Sequence, residues 1–457
     1  MAAGQGTRMH SALPKVLHPV CGRPMVAWPI LAAREAGARR VCVIVSPGND
    51  LSAGLPSGTE TVVQPQPDGT GGALRAAAEV IAASDTVIVL SGDTPLLGAD
   101  GIAALIEAHR AGDAAATVMT TELDDPGSFG RVVRGADGAV ERVVEAKAPG
   151  DATAEQLAIR EVNAGTYAFD GTALAAALER LGSDNAQGEY YLPDVLPLIR
   201  EAGGTVAAHL VGDPAVNLGV NDRADLARVT VEARRRILLG HMRAGVTIDD
   251  PASTWIDADV GIDPDVTIAP GCSLRGATSV GAGSAIGPVT TLVDARIGRN
   301  VTVPHSYLVE CEVADDATVG PFAYLRPGAA LGEGAKAGTF VEIKNSRIGA
   351  GAKVPHLSYI GDAEVGEGSN LGASTVTANY DGREKHRTVI GTDVKSGVDT
   401  TFVAPVEVGD GAYTGAGSVI TEDVPPGALG IARSEQENVE GFAERKAKET
   451  DEKGKGS

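Results

Sequence analysis

The chain is predicted to fold as an α/β domain with a mostly parallel sheet, followed by a parallel β-helix of hexapeptide repeats. Three observations carry this. Between Val41 and about Val220, short β-branched runs alternate with alanine-rich helical stretches, the pattern of an α/β layer architecture. After Val260, small aliphatic residues followed by glycine recur every six residues: Val319-Gly320, Leu325, Leu331-Gly332, Ala337-Gly338, then Val354, Ile360-Gly361, Val408-Gly409, Thr414-Gly415 and Ile420. Aromatic residues make up only 4% of the 457 while glycines number 59, as expected where an interior is filled by small aliphatic side chains.

The first element is a glycine-rich loop, Ala2-Ala3-Gly4-Gln5-Gly6-Thr7-Arg8, with Leu13-Pro14-Lys15 behind it. Gly4 and Gly6 leave the backbone bare, so its N–H groups can close on a phosphate, and Arg8 and Lys15 supply fixed positive charge. A strand usually feeds such a loop. Only Met1 stands before Ala2, so the expectation is a short apolar strand encoded upstream. Val41–Val45 and Val87–Leu90 are continuous apolar runs, read as strands buried on both faces, and Gly72–Ala83 has helical spacing. Asp93 follows the second run, in Ser91-Gly92-Asp93-Thr94-Pro95, at the strand end where α/β sheets bind ligands. An Asp before a proline can equally be a turn residue. From Asn221 to about Ala244 one polar and aliphatic segment, including Arg234-Arg235-Arg236, reads as a connecting helix. The resulting division is 1–223, a linker at 224–244, and 245–457. Within the last part each coil turns an aliphatic side chain inward. Left-handed β-helices of this hexapeptide kind are commonly trimeric, with sites between neighbouring coils. The charged tail, Glu444–Ser457, is expected to be disordered.

Bulk properties narrow the function. A net charge of -21 argues against a nucleic-acid surface, so anionic ligands must be met by local Arg and Lys clusters. Cys21, Cys42, Cys272 and Cys311 are scattered with no Cys-x-x-Cys pair, which suits buried thiols in a reducing compartment. No apolar run approaches a membrane span and no signal peptide is visible, so no membrane insertion and a cytoplasmic location are expected.

The Gly-x-Gly-Thr-Arg loop with its Leu-Pro-Lys resembles the signature of sugar-1-phosphate nucleotidylyltransferases. With the repeats, with His356-Leu357-Ser358-Tyr359-Ile360-Gly361-Asp362 and with Asn379-Tyr380-Asp381-Gly382, nearly the whole chain, Ala2 to about Arg433, resembles one bifunctional family. That family couples an N-acetylglucosamine-1-phosphate uridylyltransferase to a glucosamine-1-phosphate acetyltransferase. The resemblance implies a Rossmann-like nucleotidyltransferase domain, then a left-handed β-helix. It implies acetyl-CoA-dependent acetylation of glucosamine-1-phosphate, followed by Mg²⁺-dependent coupling of N-acetylglucosamine-1-phosphate to UTP, with release of pyrophosphate and UDP-N-acetylglucosamine for cell-wall precursors. It also implies a homotrimer.

Residue by residue, the resemblance matches Ala2, Ala3, Gly4, Arg8, Lys15, Ser91, Gly92 and Asp93 to the triphosphate site. Gln64, Gly69 and Thr70 match the segment that reads uracil, and Gly130, Glu145 and Asn163 match contacts to the acetylated sugar. Asp93 and Asn221 match the Mg²⁺ ligands, both oxygen donors as a hard cation requires. Glu189–Leu192 with Asp194 matches a family element without an assigned role. For acetyl transfer, His356 matches the general base that frees the attacking amine of its proton. Arg326, Lys344, Tyr359, Asn370 and Lys385 match the sugar-phosphate contacts. Ala373, Asn379, Tyr380, Val398, Ala416 and Arg433 match the acetyl-CoA side. Two positions depart from the pattern: Gly72, where the family usually has His, and Val398, where it usually has Ser. A monofunctional nucleotidylyltransferase whose β-helix binds effectors, and a non-catalytic nucleotide-exchange subunit, share these domain types. Acetyl-CoA consumption separates the first, and pyrophosphate release from UTP the second.

Overall fold

The computed structural model describes residues 1–4, 6–146, 150–183 and 188–454; Gln5 of the loop and the last three residues of the tail lie outside them. The chain divides into two compact units, Met1–Gly240 with Ile256–Asp259, and His241–Trp255 with Val260–Ser457. A single helix, Arg223–Arg243, runs through the segment expected to connect.

In the first unit Cys42–Val45 pairs in parallel with Glu60–Val63, apart from a six-stranded sheet. In that sheet Val206–Leu210 lies parallel to Ala116–Glu122, while Glu161–Asp170 runs antiparallel to Ala116–Glu122, Thr86–Val89 and Arg131–Arg134. The sheet is therefore mixed, a correction to the mostly parallel expectation. The cause is the ten-residue strand Glu161–Asp170, brought in antiparallel after the hairpin of Arg131–Arg134 and Val140–Val144. Its direction depends on pairing with distant segments, which local composition does not record. The helical run after Gly69 forms two helices, Thr70–Ala76 and Ala78–Ala82.

Met1 and Ala2 tie the separate strand pair to the sheet. The Met1 ammonium donates to Leu90 O at 2.7 Å, Gly92 N donates to Met1 O at 2.8 Å, and Ala2 N donates to Ile44 O at 2.8 Å. Burial holds the Met1 amine below its ordinary pKa despite the nearby Asp93 charge. These contacts place the glycine loop at the ends of both Cys42–Val45 and Thr86–Val89.

The second unit is a parallel β-helix with three faces, sheets of seven, ten and nine strands. It starts at Thr247, before Val260, because Thr247–Ile248 and Trp255–Ile256 already form the first rungs. Residues in register stack inward from coil to coil: Ile248, Ile268, Ile286, Val303 and Val319 on the first face; Leu274, Leu292, Leu308, Leu325, Ile343 and Ile360 on the second. Each is buried and stabilises the stack by about 1.5–3 kcal/mol. A ring would not fit at most rungs; Phe402 is a buried exception. The tail corrects a second expectation, since Phe442–Gly454 is helical. Ala, Glu and Lys are strong helix formers, and Lys446 pairs with Glu449 one turn on, at 3.2 Å. Its residues from Phe442 to Thr450 are exposed.

Candidate functional site

The first cluster forms at the strand ends of the first unit. Gly6 adopts φ 60°, and a Cβ there would meet the Lys15 Cβ at 2.5 Å, so only glycine lets the loop fold down on that lysine. Arg8 and Lys15 sit on the short 3₁₀ turns Thr7–Met9 and Lys15–Leu17. Lys15 Nζ reaches Asp93 Oδ2 at 2.6 Å, and Ser91 Oγ donates to Asp93 Oδ1 at 2.7 Å. Arg8 donates to Asn221 Oδ1 at 2.9 Å. Val220 N donates to Asp93 O at 2.9 Å, so the backbones carrying the two expected metal ligands are hydrogen-bonded neighbours. Two hard oxygen donors thus lie together, each already engaged by a cation. That is the donor chemistry a divalent ion needs, with phosphate oxygens and waters to complete its shell.

Gln64 and Gly69-Thr70 form a second part of this unit. Gln64 is 4% exposed, and its Nε2 donates to Asp68 Oδ1 at 2.7 Å and to Gly69 O at 3.1 Å. Gly69 has φ 101°, and a Cβ on it would lie 2.5 Å from Tyr190 O. Gly71 N donates to Tyr190 O at 2.7 Å, and Leu192 N to Thr70 Oγ1 at 2.9 Å. The segment Tyr190–Leu192 therefore clamps the Gly69–Gly71 turn, which gives this element a physical role. Gly130, Glu145 and Asn163 come together as well. Arg131 pairs with both Val144 and Val162, and Asn163 N donates to Gly130 O at 2.9 Å. Asn163 Nδ2 donates to Tyr167 Oη at 2.6 Å. Asp194, raised by burial and by the charge of Glu145, lies near this group.

In the second unit His356 and four of the residues expected on the acetyl-CoA side, Ala373, Val398, Ala416 and Arg433, follow one corner of the β-helix, whereas Asn379 and Tyr380 do not. His356 ends the strand Lys353–His356 and is exposed. Ser374 N donates to His356 O at 3.1 Å, Asp399 N to Ala373 O at 2.8 Å, and Gly417 N to Val398 O at 2.9 Å. His356, Ala373, Val398 and Ala416 are thus successive steps of one ladder. Arg433 joins it, with its Cδ 3.9 Å from where a Cβ on Gly417 would be.

The sugar-phosphate set gathers on the adjoining face. Glu342 lies in register between Tyr324 and Tyr359, and Arg326 Nη1 reaches Glu342 Oε1 at 2.8 Å. Asp362, unassigned in the sequence although it closes the His356 motif, is the hub. Asn345 Nδ2 and Asn379 Nδ2 donate to it at 2.6 and 2.5 Å, and Lys344 Nζ lies 3.6 Å away. Burial opposes its ionisation, but those amide donors and the charges of Lys344 and Lys385 outweigh burial and lower its pKa. Lys344 lowers the pKa of Lys385 beside it, so two cations crowd where a phosphate would relieve their repulsion. Asn370 stands apart, bridging Lys353 and Lys395 on the first face. Tyr380, 61% exposed, bridges Lys385 in the projecting loop between these rungs. Among the described residues no cluster of three His, Cys, Asp or Glu side chains could hold a metal ion.

Residues 1–189 match the MobA-like NTP transferase domain family. The bifunctional protein GlmU of Mycolicibacterium vanbaalenii is 50% identical over 458 residues, covering 98% of this chain and 92% of its own. The chain belongs to the bifunctional GlmU family. GlmU proteins of Mycobacterium marinum and Mycobacterium tuberculosis are 49% and 48% identical, with the same coverage. As a GlmU family member it is a bifunctional enzyme, a uridylyltransferase and an acetyltransferase of UDP-N-acetylglucosamine synthesis.

Proposed function

We propose that the first unit transfers uridylyl and the second transfers acetyl, each with the residues matched above. One observation supports this most: the two sets form two separate clusters, one in each unit. The first offers two cations, a bare loop and paired oxygen donors to a nucleoside triphosphate. The second offers Arg326, Lys344 and Lys385 to a sugar phosphate, and carries an exposed His356.

In the uridylyl reaction a phosphate oxygen of N-acetylglucosamine-1-phosphate attacks the α-phosphorus of UTP, and the bond to the β-phosphate breaks to release pyrophosphate. Arg8 and Lys15 neutralise the triphosphate, and the bare backbone at Gly4 and Gly6 cradles it. Gln64 with Gly69 and Thr70 holds uracil, while Gly130, Glu145 and Asn163 hold the sugar. Mg²⁺, held by Asp93 and Asn221, supplies charge neutralisation when bound. In the acetyl reaction the glucosamine amine attacks the acetyl-CoA thioester carbonyl. His356 takes the amine proton, the C–S bond breaks, and the coenzyme leaves as a thiol. Four cysteines stand outside this motif, so attack is direct.

Assembly as a homotrimer is supported by a stripe of Val289, Phe322, Phe340 and Leu357, 54–63% exposed and all at positive φ. Bulky side chains held there, with Phe322 and Phe340 stacked at 5.4 Å, suit a covered surface. UTP and acetyl-CoA are cytoplasmic metabolites, and among the described residues no helix is long and apolar enough to cross a membrane. The test has two arms. Pyrophosphate release from UTP should need N-acetylglucosamine-1-phosphate and stop when EDTA removes divalent ions. Thiol release from acetyl-CoA should need glucosamine-1-phosphate and survive EDTA. Sedimentation at three times the 46.4 kDa chain mass checks the trimer.

A further inference from the structure

Gln64 is a nearly buried amide whose polarity is fixed by its surroundings. Both of its Nε2 contacts, Asp68 Oδ1 and Gly69 O, are acceptors without a proton to give. Turned over, the amide would set its oxygen against a carboxylate and a carbonyl and leave two acceptors unserved. Among the described residues no donor reaches Gln64 Oε1, so that oxygen is open to a ligand. The Asp68 carboxylate can stand where it does because residue 72 is glycine. A Cβ on Gly72 would lie 1.9 Å from Asp68 Oδ1 and 2.4 Å from its Cγ. The backbone of Asp68 is itself fixed, as its N–H donates to Gln66 O at 2.9 Å and its carbonyl accepts from Tyr190 N at 2.7 Å.

We infer that Asp68 is a positioning residue for base selectivity: with Gly72 making room, it locks Gln64 so that Oε1 faces the nucleobase and accepts the N3–H of uracil. Cytosine carries a lone pair at N3 and would meet another acceptor. Asp68 touches no substrate and acts only through Gln64. The inference rests on the uridylyltransferase reading of the first unit. It also gives the glycine at 72 a partner, since a side chain there and a carboxylate at 68 exclude each other.

The test compares kcat/KM for UTP and CTP, each with N-acetylglucosamine-1-phosphate and Mg²⁺. Asp68→Ala should lower the preference for UTP about 10- to 100-fold, the scale of one charge-assisted hydrogen bond. Gly72→Ala should do the same by displacing the carboxylate, and the double variant should lose no more than either. Ala is a better helix former than Gly inside Thr70–Ala76, so this second variant keeps the test alive if Asp68→Ala folds poorly. An unchanged preference, an equal fall for both nucleotides, or additive losses would overturn the inference. Failure of the unaltered enzyme to release pyrophosphate from UTP would instead reject the uridylyl reading.

Discussion

The two units position chemistry in different ways. In the α/β unit the contacts that build the site join distant segments: Lys15 to Asp93, Arg8 to Asn221, Thr70 to Leu192. In the β-helix the candidate residues of one corner stand one coil apart, and the backbone ladder alone brings His356, Ala373, Val398 and Ala416 into line. The first site therefore depends on the whole topology of its unit. The second depends on keeping register between neighbouring coils, as in other quasi-one-dimensional folds.

The largest expected effects are reciprocal losses. His356→Ala should lower acetyl transfer about 10²–10⁴-fold, as for loss of a general base, and leave uridylyl transfer intact. Asp93→Ala should lower uridylyl transfer by at least about 10²-fold and leave acetyl transfer intact. Parallel loss of both activities in either folded variant breaks the two-site comparison. Next is a packing lesion confined to the ladder. A Cβ on Gly281 would lie 2.7–2.9 Å from backbone atoms of Gly298 and Arg299, in coils that carry no candidate residue. Gly281→Ala should cost the β-helix about 1–3 kcal/mol, read as lower thermal retention of acetyl transfer with unchanged kcat at low temperature.

A smaller effect belongs to Val398, 49% exposed on the corner that carries His356 and without a donor where the family usually has Ser. Val398→Ser should speed acetyl transfer several-fold, below the roughly 10²–10³ of a full oxyanion donor, because backbone N–H groups line the same corner. An unchanged or lower steady-state kcat would remove the idea. The smallest concerns the connecting helix. Hydrogen bonds from Arg235, then from Arg236, hold the Glu232 carboxyl at about 2, well below the ordinary 4.5. A depressed carboxyl stabilises the fold above the ordinary value, and that contribution fades as pH falls from 4.5 toward 2. Glu232→Gln should flatten this acid limb of denaturant unfolding, by no more than about 1 kcal/mol given the exposure of its partner Arg235 to solvent.

Legibility in the sequence follows the same division. The β-helix could be read from its repeat because its core is local: the spacing of Val319, Leu325 and Leu331 is the spacing of its corners. Its first rungs fall inside the division at 245 but before the visible repeat, since Thr247 and Trp255 lack the following glycine. The α/β unit gave up its strands but not their directions, because the antiparallel course of Glu161–Asp170 is set by partners far along the chain. The glycine loop was legible, as bare backbone beside Arg and Lys has few other uses. Asp68 and Asp362 were not. Each acts by holding an amide side chain whose own position only the fold determines. The charged tail misled in the other direction, since composition alone reads as disorder where helix propensity is high.

The opening coils of the β-helix have one further consequence. From Trp255 to Tyr324 the ten-stranded face climbs four strand spacings, roughly 19 Å, before Arg326 supplies its first candidate residue. Because each coil touches only its neighbours, this stretch is a ruler whose length is a whole number of turns. Deleting or duplicating one of its turns changes the height of the acetyl site along the axis in fixed steps. The ladder of candidate residues itself stays in register.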